Sequence, residues 1–361
     1  MYQERLDRAR AQMQAQGVDM LLVSVGPDLP YLTGYEATPL ERLTMLVVAA
    51  DGDPPTLVVP RLEAPRVDDG EGAIVVDAWD ETDDPIAIVA RLCHDAPVAA
   101  IGDHTWARFV LDLQGALPDT RFTKASSITS TLRVVKDEAE VTALRAAARA
   151  VDAIARDMRD RPFAGRREID VHRELVERML DAGHARANFA IVASGPNAAS
   201  PHHDPGPRVI EPGDVVLGDF GGTMGGYCSD ITRMFVVGEP PGEVRDAYDV
   251  LVAAQEQGVQ AARAGVPCER VDAAARAVIV EAGYGDRFIH RTGHGIGVEA
   301  HEDPYLVAGN ATPLAPGHAF SVEPGIYVPG RFGLRLEDIV VCRETGPERL
   351  NHAPRDLAVV A

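Results

Sequence analysis

The chain has 361 residues, of which 46% are hydrophobic and 25% charged, and its formal net charge is −20. This length predicts two domains. The negative charge opposes binding to nucleic acid or anionic lipid, and no apolar run approaches the roughly 20 residues that a membrane span requires. The four cysteines are scattered and form no CxxC pair. They predict free thiols in a reducing cytoplasm, not a disulfide framework or a zinc ribbon.

The first third of the chain alternates helical and strand patterns. Residues 2–16 predict an amphipathic helix that ends at Gly17 and lacks the apolar core of a signal peptide, so we expect a cytoplasmic protein. Strands are predicted, in order, at "DMLLVSV", "TMLVVAA", "PTLVVP", "AIVVDAW" and "VAAIGD", with a helix near 84–95 before the last of them. This alternation predicts an α/β domain with a mixed or parallel sheet over residues 1–130. Residues 125–140 are interpreted as the passage into a second domain, 131–361.

The second domain repeats one order of elements. Asp137 and Glu140 predict a capping box at the start of a long helix, and a second helix ends at Gly183. Strands follow to about residue 238, and then helices at 242–264 and 269–282 precede further strands. Two copies of helix, helix and strands predict an α+β domain with internal pseudo-two-fold symmetry.

The stretch "GDFGGTMGGYCSD", residues 218–230, places Asp219 and Asp230 on two strands around a glycine-rich turn. A turn centred on Met224-Gly225 would put the two aspartates directly opposite each other, with Cβ atoms about 4.5–5.5 Å apart. Two carboxylates at that distance repel. We therefore expect a cation between them.

A second hairpin repeats this arrangement near the C-terminus. Glu323 and Glu337 flank a turn centred on Gly330, and two-fold packing would bring both carboxylate pairs into one site that two divalent cations could neutralise. Between the hairpins, His294 stands between two glycines and His301 follows seven residues later, without an HExxH motif. Four carboxylates and one imidazole favour Mn²⁺ or Co²⁺, and Zn²⁺ or Fe²⁺ can substitute. Two such ions about 3.5–4 Å apart would hold a hydroxide and polarise a carbonyl.

The segments "DFGGTMGGYCSDITR", "GHGIGVEAHEDP", "SVEPGIY" and "GLRLEDIVV" closely resemble the pita-bread metallopeptidases, which include methionine aminopeptidase, aminopeptidase P and prolidase. The resemblance covers roughly residues 130–361. The first 125 or so residues, with "DLPYLTGY", resemble the extra N-terminal domain of the proline-directed branch, which methionine aminopeptidases usually lack. The resemblance implies an α/β N-terminal domain followed by a pita-bread catalytic domain. It also implies hydrolysis of Xaa-Pro bonds, as an Xaa-Pro dipeptidase or aminopeptidase.

The resemblance further implies a role for each metal ligand. Asp219 would bind one metal ion, and Asp230 would bridge both. His294 and Glu323 would bind the second ion, and Glu337 would be the other bridge. Glu323 would also carry a proton from the bridging water to the leaving nitrogen.

Other residues are expected to contact the substrate. The resemblance implies that His301 contacts the substrate carbonyl or scissile amide, that His202 stabilises the tetrahedral intermediate or the leaving proline, and that Tyr227 lies near the pocket. Arg335 precedes Glu337 by two residues, so its side chain should point towards the metal site. It would either neutralise the carboxylates or bind the C-terminal carboxylate of the substrate. Tyr305 stands where some prolidases have an arginine, which leaves dipeptides and longer Xaa-Pro peptides open. The resemblance also implies a homodimer.

Two other functions are compatible with this fold. One is a metal-dependent lyase or hydrolase that acts on a small carboxylated metabolite, which the ligand set does not exclude. The other is a non-catalytic pita-bread binding protein. Such relatives would be expected to have lost ligands, whereas all five candidates are present in this chain.

Overall fold

The computed structural model describes residues 2–70 and 72–361, which form two compact units. The first unit ends at Arg133 and the second runs from Val134 to Ala361. Among the helices of these residues, none is both long and apolar enough to cross a bilayer. All four cysteines are buried and unpaired.

The first unit is an α/β structure built on a mixed sheet. Its helices are α1 (Tyr2–Gln16), α2 (Asp28–Thr33), α3 (Pro85–Cys93), α4 (Ala107–Ala116) and α5 (Ser126–Arg133). Its strands are β1 (Met20–Ser24), β2 (Met45–Ala49), β3 (Thr56–Pro60), β4 (Val75–Trp79), β5 (Val98–Ile101) and β6 (Arg121–Lys124). The strand order is β4-β3-β2-β1-β5-β6, in which β1–β2 and β2–β3 are antiparallel and the other pairs are parallel.

Helix α5 occupies the first part of the segment 125–140 that was interpreted as the passage between domains, and the first unit ends at its last residue. Its sequence, "SSITSTLR", is rich in residues that favour loops or strands in isolation. Tertiary contacts stabilise the helix instead. Arg133 forms a buried ion pair of 2.7 Å with Asp28, and the Thr129 hydroxyl donates to the same carboxylate at 2.9 Å.

The second unit contains two helices followed by strands, and then the same order again. The first set is α6 (Glu138–Met158), α7 (Glu168–Asp181), β7 (Arg186–Ser194), β8 (Val215–Met224), β9 (Tyr227–Cys228) and β10 (Ile231–Val237). The second set is α8 (Gly242–Ala261), α9 (Cys268–Glu281), β11 (Gly293–Gly295), β12 (Glu302–Leu306), β13 (Ala319–Val322), β14 (Gly325–Val328), β15 (Phe332–Arg335), β16 (Asp338–Arg343), β17 (Gly346–Arg349) and β18 (Ala358–Val360). The predicted capping box is present at α6, where Asp137 and Glu140 exchange hydrogen bonds.

Each set of helices packs on its own sheet. The sheet β18-β10-β8-β7, with β9 paired to β8, shares a core with α6 and α7. The sheet β12-β11-β13-β16-β17 shares another core with α8 and α9, and β14 pairs with β15 alone. The two halves of the unit are joined by the pairing of β10 with β18 and, among other contacts, by an isolated bridge between Thr232 and Glu337. The candidate site lies at this junction.

Candidate metal centre

The first hairpin brings Asp219 and Asp230 to one cleft, but not directly opposite each other. Gly225 and Gly226 form its turn, with φ angles of 57° and 81°. Two central residues of positive φ are typical of a type I′ turn, whose twist matches that of the flanking strands. The predicted turn centre, one residue earlier, is therefore wrong. Asp219 pairs with Thr232, and Asp230 lies two residues before that partner.

The other glycines of this hairpin make room for the segment that carries Asp230. A Cβ atom on Gly221 would lie 2.1 Å from the carbonyl oxygen of Ser229. A Cβ atom on Gly222 would lie 2.5 Å from the carbonyl oxygen of Arg186. Any side chain at either position would push the neighbouring backbone away. The absence of a side chain lets Ser229 approach and donate its N–H to Gly222 at 2.8 Å.

The register predicted for the second hairpin is confirmed. The pairs of β14–β15 and those of β13–β16 follow the same register around Gly330. Glu323 and Glu337 lie in the interruption between these two ladders, so neither is held by a regular strand partner. Glu337 bridges to Thr232 instead, and the Thr232 hydroxyl donates to Glu337 Oε2 at 2.7 Å. Thr232 therefore links the strand of Asp219 to the segment of Glu337.

Two backbone segments pack closely against the residues on either side of His294, and only glycine fits at those two positions. A Cβ atom on Gly293 would lie 1.9 Å from the carbonyl oxygen of Ser321, and one on Gly295 would lie 2.1 Å from that of Asp303. The imidazole Nδ1 lies 3.0 Å from the Gly295 carbonyl oxygen. Because a carbonyl only accepts, Nδ1 donates a hydrogen bond to it, and Nε2 faces the carboxylates. Nε2 lies 3.2 Å from Glu323 Oε1.

All five predicted ligands line one cleft of about 550 Å³. Three of them are especially close, since ligand atoms of Asp230, His294 and Glu337 lie within 4.8 Å of one another. These three residues are buried. The two halves of the unit thus supply one shared donor set, as the symmetry argument predicts.

The carboxylates carry donor atoms that the protein leaves unused. In the described part of the chain, Asp219 Oδ1, Asp230 Oδ1 and Glu337 Oε1 are buried without a hydrogen-bond partner. A buried, unpaired carboxylate oxygen is costly. Divalent cations would satisfy all three atoms, so the residues present fit a metal centre. The donor set, dominated by oxygen with one imidazole, suits Mn²⁺, Co²⁺ or Zn²⁺.

Charge is distributed unevenly over the four acids. Burial, followed by the charge of Glu337, raises the pKa of Asp230 well above its ordinary value. Burial, and then the negative charge of Glu323, raises the pKa of Glu337 well above its ordinary value. Burial opposes ionisation of Glu323 as well, but the hydrogen bond from His294 outweighs it and lowers the pKa of Glu323 to about 2. In the protein without metal, protons therefore concentrate on Asp230 and Glu337, while Glu323 stays ionised.

Arg335 lies in the cleft, but its donors are occupied by the protein. Its guanidinium forms an ion pair with Asp219 and donates to the Tyr327 hydroxyl at 2.9 Å and to the carbonyl oxygen of Pro201 at 3.1 Å. Its Nε lies 3.3 Å from the Thr232 hydroxyl. The side chain is only 3% exposed. This geometry favours the neutralising role over the substrate-carboxylate role that we also considered.

Three histidines besides His294 line the cleft. His202 and His301 both line it, and the ring centroids of His301 and His294 are 3.8 Å apart. Partial burial of the ring, and then the charge of His294, lower the pKa of His301 to about 4. His290 was missed from sequence, although it lies only four residues before His294 in the chain. Its Nε2 lies 2.9 Å from the hydroxyl of Tyr327, and burial lowers its pKa.

The loop that carries His202 is anchored to a buried acid. Glu168, the first residue of α7, accepts hydrogen bonds from the N–H and the hydroxyl of Ser194, both at 2.7 Å, and from Asn197. His203 Nε2 lies 2.8 Å from the second carboxylate oxygen of Glu168. Burial opposes ionisation of Glu168, but the hydrogen bonds from Ser194 and His203 outweigh it and lower its pKa. An ionised, fully buried carboxylate therefore fixes the loop.

Tyr227 is not among the residues that line the cleft. It stands beside the turn of the first hairpin, and its hydroxyl donates to Glu140 Oε1 at 2.9 Å. This contact ties the hairpin to the start of α6. The structure gives no support to the predicted substrate contact of Tyr227.

Comparisons with known proteins identify the class. Residues 142–344 match the family described as "Metallopeptidase family M24". Residues 5–135 match the family described as "Creatinase/Prolidase N-terminal domain". The chain therefore belongs to metallopeptidase family M24. This membership confirms the predicted fold class, an α/β N-terminal domain followed by a pita-bread catalytic domain, and the prediction of a metallopeptidase.

Relatives match the chain over nearly its whole length. A probable dipeptidase PepE of Mycobacterium bovis is 44% identical, over 100% of this chain and 97% of that protein. An Xaa-Pro dipeptidase of Lactobacillus helveticus is 33% identical, over 98% of each chain. The crystal structure of dipeptidase PepE from Mycobacterium ulcerans has a TM-score of 0.91 and 42% identity, and covers 99% of this chain and 98% of that one.

Proposed function

We propose that this metallopeptidase hydrolyses the bond between an N-terminal residue and proline, in dipeptides or short peptides. The observation that carries the proposal is the convergence of four acids, three of them with unused buried oxygens, and the imidazole of His294 in one cleft. The relatives named Xaa-Pro dipeptidase supply the substrate class. A full ligand set also argues against a non-catalytic binding protein.

Two divalent metal ions, Mn²⁺ or Co²⁺ in preference to Zn²⁺, fit this donor set. Asp219 would hold one ion, and His294 and Glu323 would hold the other. Asp230 and Glu337 would each contribute to both ions. When bound, the ions would lower the pKa of an attacking water and polarise the scissile carbonyl.

The chain's own residues would move the protons. Glu323 is ionised at neutral pH, so it can accept a proton from the attacking water and deliver it to the proline nitrogen as the C–N bond breaks. His202 and His301 would donate N–H groups to the carbonyl oxygen as it gains negative charge. His290 can hold the Tyr327 hydroxyl in place.

Arg335 would act on the metal centre and not on the substrate. Its ion pair with Asp219 offsets part of the negative charge, and its other bonds link Thr232, Tyr327 and Pro201. Because Pro201 precedes His202, Arg335 also supports the position of that histidine.

We also propose a homodimer located in the cytoplasm. The buried, unpaired cysteines are compatible with a reducing compartment. Light scattering at assay concentration tests the dimer, and an active monomer would contradict it.

The function is tested with the purified protein and a substrate panel. Exhaustive chelation should abolish hydrolysis of an Ala-Pro dipeptide, and Mn²⁺ or Co²⁺ should restore it with about two metal ions per chain by elemental analysis. Replacing proline by alanine in the substrate should lower kcat/KM at least about tenfold. Full activity of verified metal-free protein would refute the mechanism. Equal rates on Ala-Pro and Ala-Ala would refute the specificity, and turnover of small carboxylated metabolites alone would favour the lyase alternative.

A further inference from the structure

His301 enters the cleft from the residue just before β12, and its own side chain does little to fix it there. The residue is exposed, and within residues 2–70 and 72–361 its imidazole forms no hydrogen bond. Its ring contacts that of His294, with 3.8 Å between the centroids. The next residue, Glu302, is buried. The position of the His301 imidazole therefore depends on what holds Glu302.

Glu302 is held by a buried ion pair. The Nζ atom of Lys136 lies 2.7 Å from Glu302 Oε1, and the two side chains are only 1% and 6% exposed. Charged groups are retained at such depth only when they are paired at close range. Neither residue is among those that line the cleft. A direct contact of this pair with the substrate is therefore not expected.

The backbone of Lys136 provides a fixed base for the pair. Its N–H donates to the carbonyl oxygen of Gly317 at 2.9 Å, and a Cβ atom on Gly317 would lie 2.7 Å from the Lys136 carbonyl oxygen. The next residue, Asp137, caps α6. Lys136 thus extends from a segment that is held by a close backbone contact on one side and by a capped helix on the other.

The carboxylate of Glu302 also supports the loop between the two histidines. A Cβ atom on Gly297 would lie 2.4 Å from Glu302 Oε1, so the backbone of this loop packs directly on the carboxylate. The carbonyl oxygen of Gly297 accepts the N–H of Cys228 at 2.8 Å, which ties the loop to β9. The carboxylate therefore supports the loop that connects His294 to His301.

We propose that Lys136 and Glu302 are positioning residues for His301, and that their buried ion pair sets where the imidazole enters the cleft. The proposal rests on the proposed function, in which His301 donates an N–H to the carbonyl oxygen as that oxygen gains negative charge. Such a donor acts only at hydrogen-bond distance from the developing charge. A misplacement of about 1 Å can cost about 100-fold in rate. Loss of the pair should therefore lower kcat and leave KM and metal content nearly unchanged.

A double-mutant cycle in kcat tests this assignment. Glu302→Gln keeps the shape of the side chain and removes its charge, and Lys136→Met removes the opposite charge. Each change is made in the wild type and in His301→Ala protein. Asp28→Asn is the matched control, because Asp28 forms a buried ion pair of the same length, 2.7 Å, with Arg133 in the first unit. All proteins are loaded with Mn²⁺, checked for metal content and thermal unfolding, and assayed on Ala-Pro well below their unfolding midpoints.

Both substitutions should act through the imidazole. In the wild-type background each should lower kcat about 10- to 100-fold, with less than about threefold change in KM. In the His301→Ala background each should change kcat less than about twofold, because the group that they position is already absent. The double variant Lys136→Met/Glu302→Gln leaves no charge unpaired, so it should recover stability relative to the single variants but not kcat. The control should lose stability and keep wild-type kcat.

Equal losses of kcat in the two backgrounds would overturn the proposal, because the ion pair would then support the fold and not His301. Wild-type kcat in both single variants would overturn it as well. If a single variant does not fold, the double variant is compared in the two backgrounds instead.

Failure of the proposed function is distinguished by the wild type, which is assayed in the same experiment. If the wild type does not hydrolyse Ala-Pro, crystal structures of the wild type and of Glu302→Gln decide. A His301 ring displaced from its contact with His294 supports the positioning role, and an unchanged ring contact overturns it.

Discussion

Asp230 and Glu337 form the part of the cleft where negative charge is least compensated. Both are buried, and their ligand atoms lie within 4.8 Å of each other. Asp230→Asn removes one of these charges and keeps the size of the side chain. We therefore expect opposite effects on two properties. The variant should lose bound metal, and the metal-free protein should become more stable.

The magnitude follows from the separation of the two carboxylates. At 4.8 Å and an effective dielectric constant of about 20, two unit charges repel by about 3.5 kcal/mol. The folded protein can bind a proton instead, but at pH 7 this costs roughly 4 kcal/mol for an aspartate of ordinary pKa. Burial of the asparagine amide costs free energy, which offsets part of this stabilisation. We expect a net stabilisation of about 2 to 3 kcal/mol, or roughly 3 to 6 °C in the unfolding midpoint.

This stabilisation should depend on pH. Burial and neighbouring charges raise the pKa values of Asp230 and Glu337, so the folded form holds protons that the unfolded form has released. The metal-free wild type therefore loses stability as pH rises from about 4 towards the raised pKa values. The variant has one such group fewer. Its advantage should grow from about pH 5 to 8 and nearly vanish near pH 4.

Calorimetric unfolding of the metal-free proteins measures the stability, and elemental analysis after metal loading measures the stoichiometry. Asp338→Asn provides the control, because Asp338 is equally buried but forms an ion pair of 2.7 Å with Arg233. Its replacement leaves Arg233 uncompensated and should destabilise the protein. A lower unfolding midpoint for metal-free Asp230→Asn at pH 7, or two retained metal ions, would refute the reasoning.

Three further substitutions test the surroundings of the metal centre. Arg335→Ala should destabilise the metal-free protein by about 3 to 5 kcal/mol in denaturant unfolding, because it leaves Asp219 buried without its cation; a kinetic loss confined to dipeptides would instead restore the substrate role. Thr232→Val removes the donor to Glu337 and should weaken metal binding about 10- to 100-fold by titration, whereas unchanged affinity would contradict this support. Glu168→Gln turns an amide N–H towards groups that donate to the carboxylate. It should lower kcat about 10- to 100-fold with metal content unchanged, and wild-type kcat would exclude the anchoring role.

The acidic residues of the site could be predicted from sequence because they stand in unfavourable surroundings. Asp219 interrupts a buried apolar strand, and Glu337 adjoins another, where an unpaired carboxylate is costly. Such residues are retained when something else compensates their charge. The turn of the first hairpin was harder to predict from the sequence. "GGTMGGY" contains four glycines, and only the positive φ angles of Gly225 and Gly226 select the turn and the pairing of Asp219 with Thr232.

The remaining features of the site could not be predicted because they depend on contacts between residues far apart in the chain. The position of Arg335 on its strand indicates that it faces the site, but not that Asp219 and Tyr327 occupy its donors. The available signal for His290 was its position four residues before a candidate ligand, in the short segment "HRTGHG".

The pseudo-symmetry of the second unit extends beyond the ligands to the acids that hold the cleft loops. Glu168 of α7 accepts the N–H and the hydroxyl of Ser194, and Asp272 of α9 accepts the N–H and the hydroxyl of Thr292 at 3.0 and 2.8 Å. Both acids are buried, and each lies on the second helix of its set. The loop after Ser194 carries His202, and Thr292 lies between His290 and His294. In both halves, therefore, a helix-borne carboxylate fixes the backbone from which a histidine enters the cleft, so that rigid helices and not the loops themselves determine where those imidazoles lie.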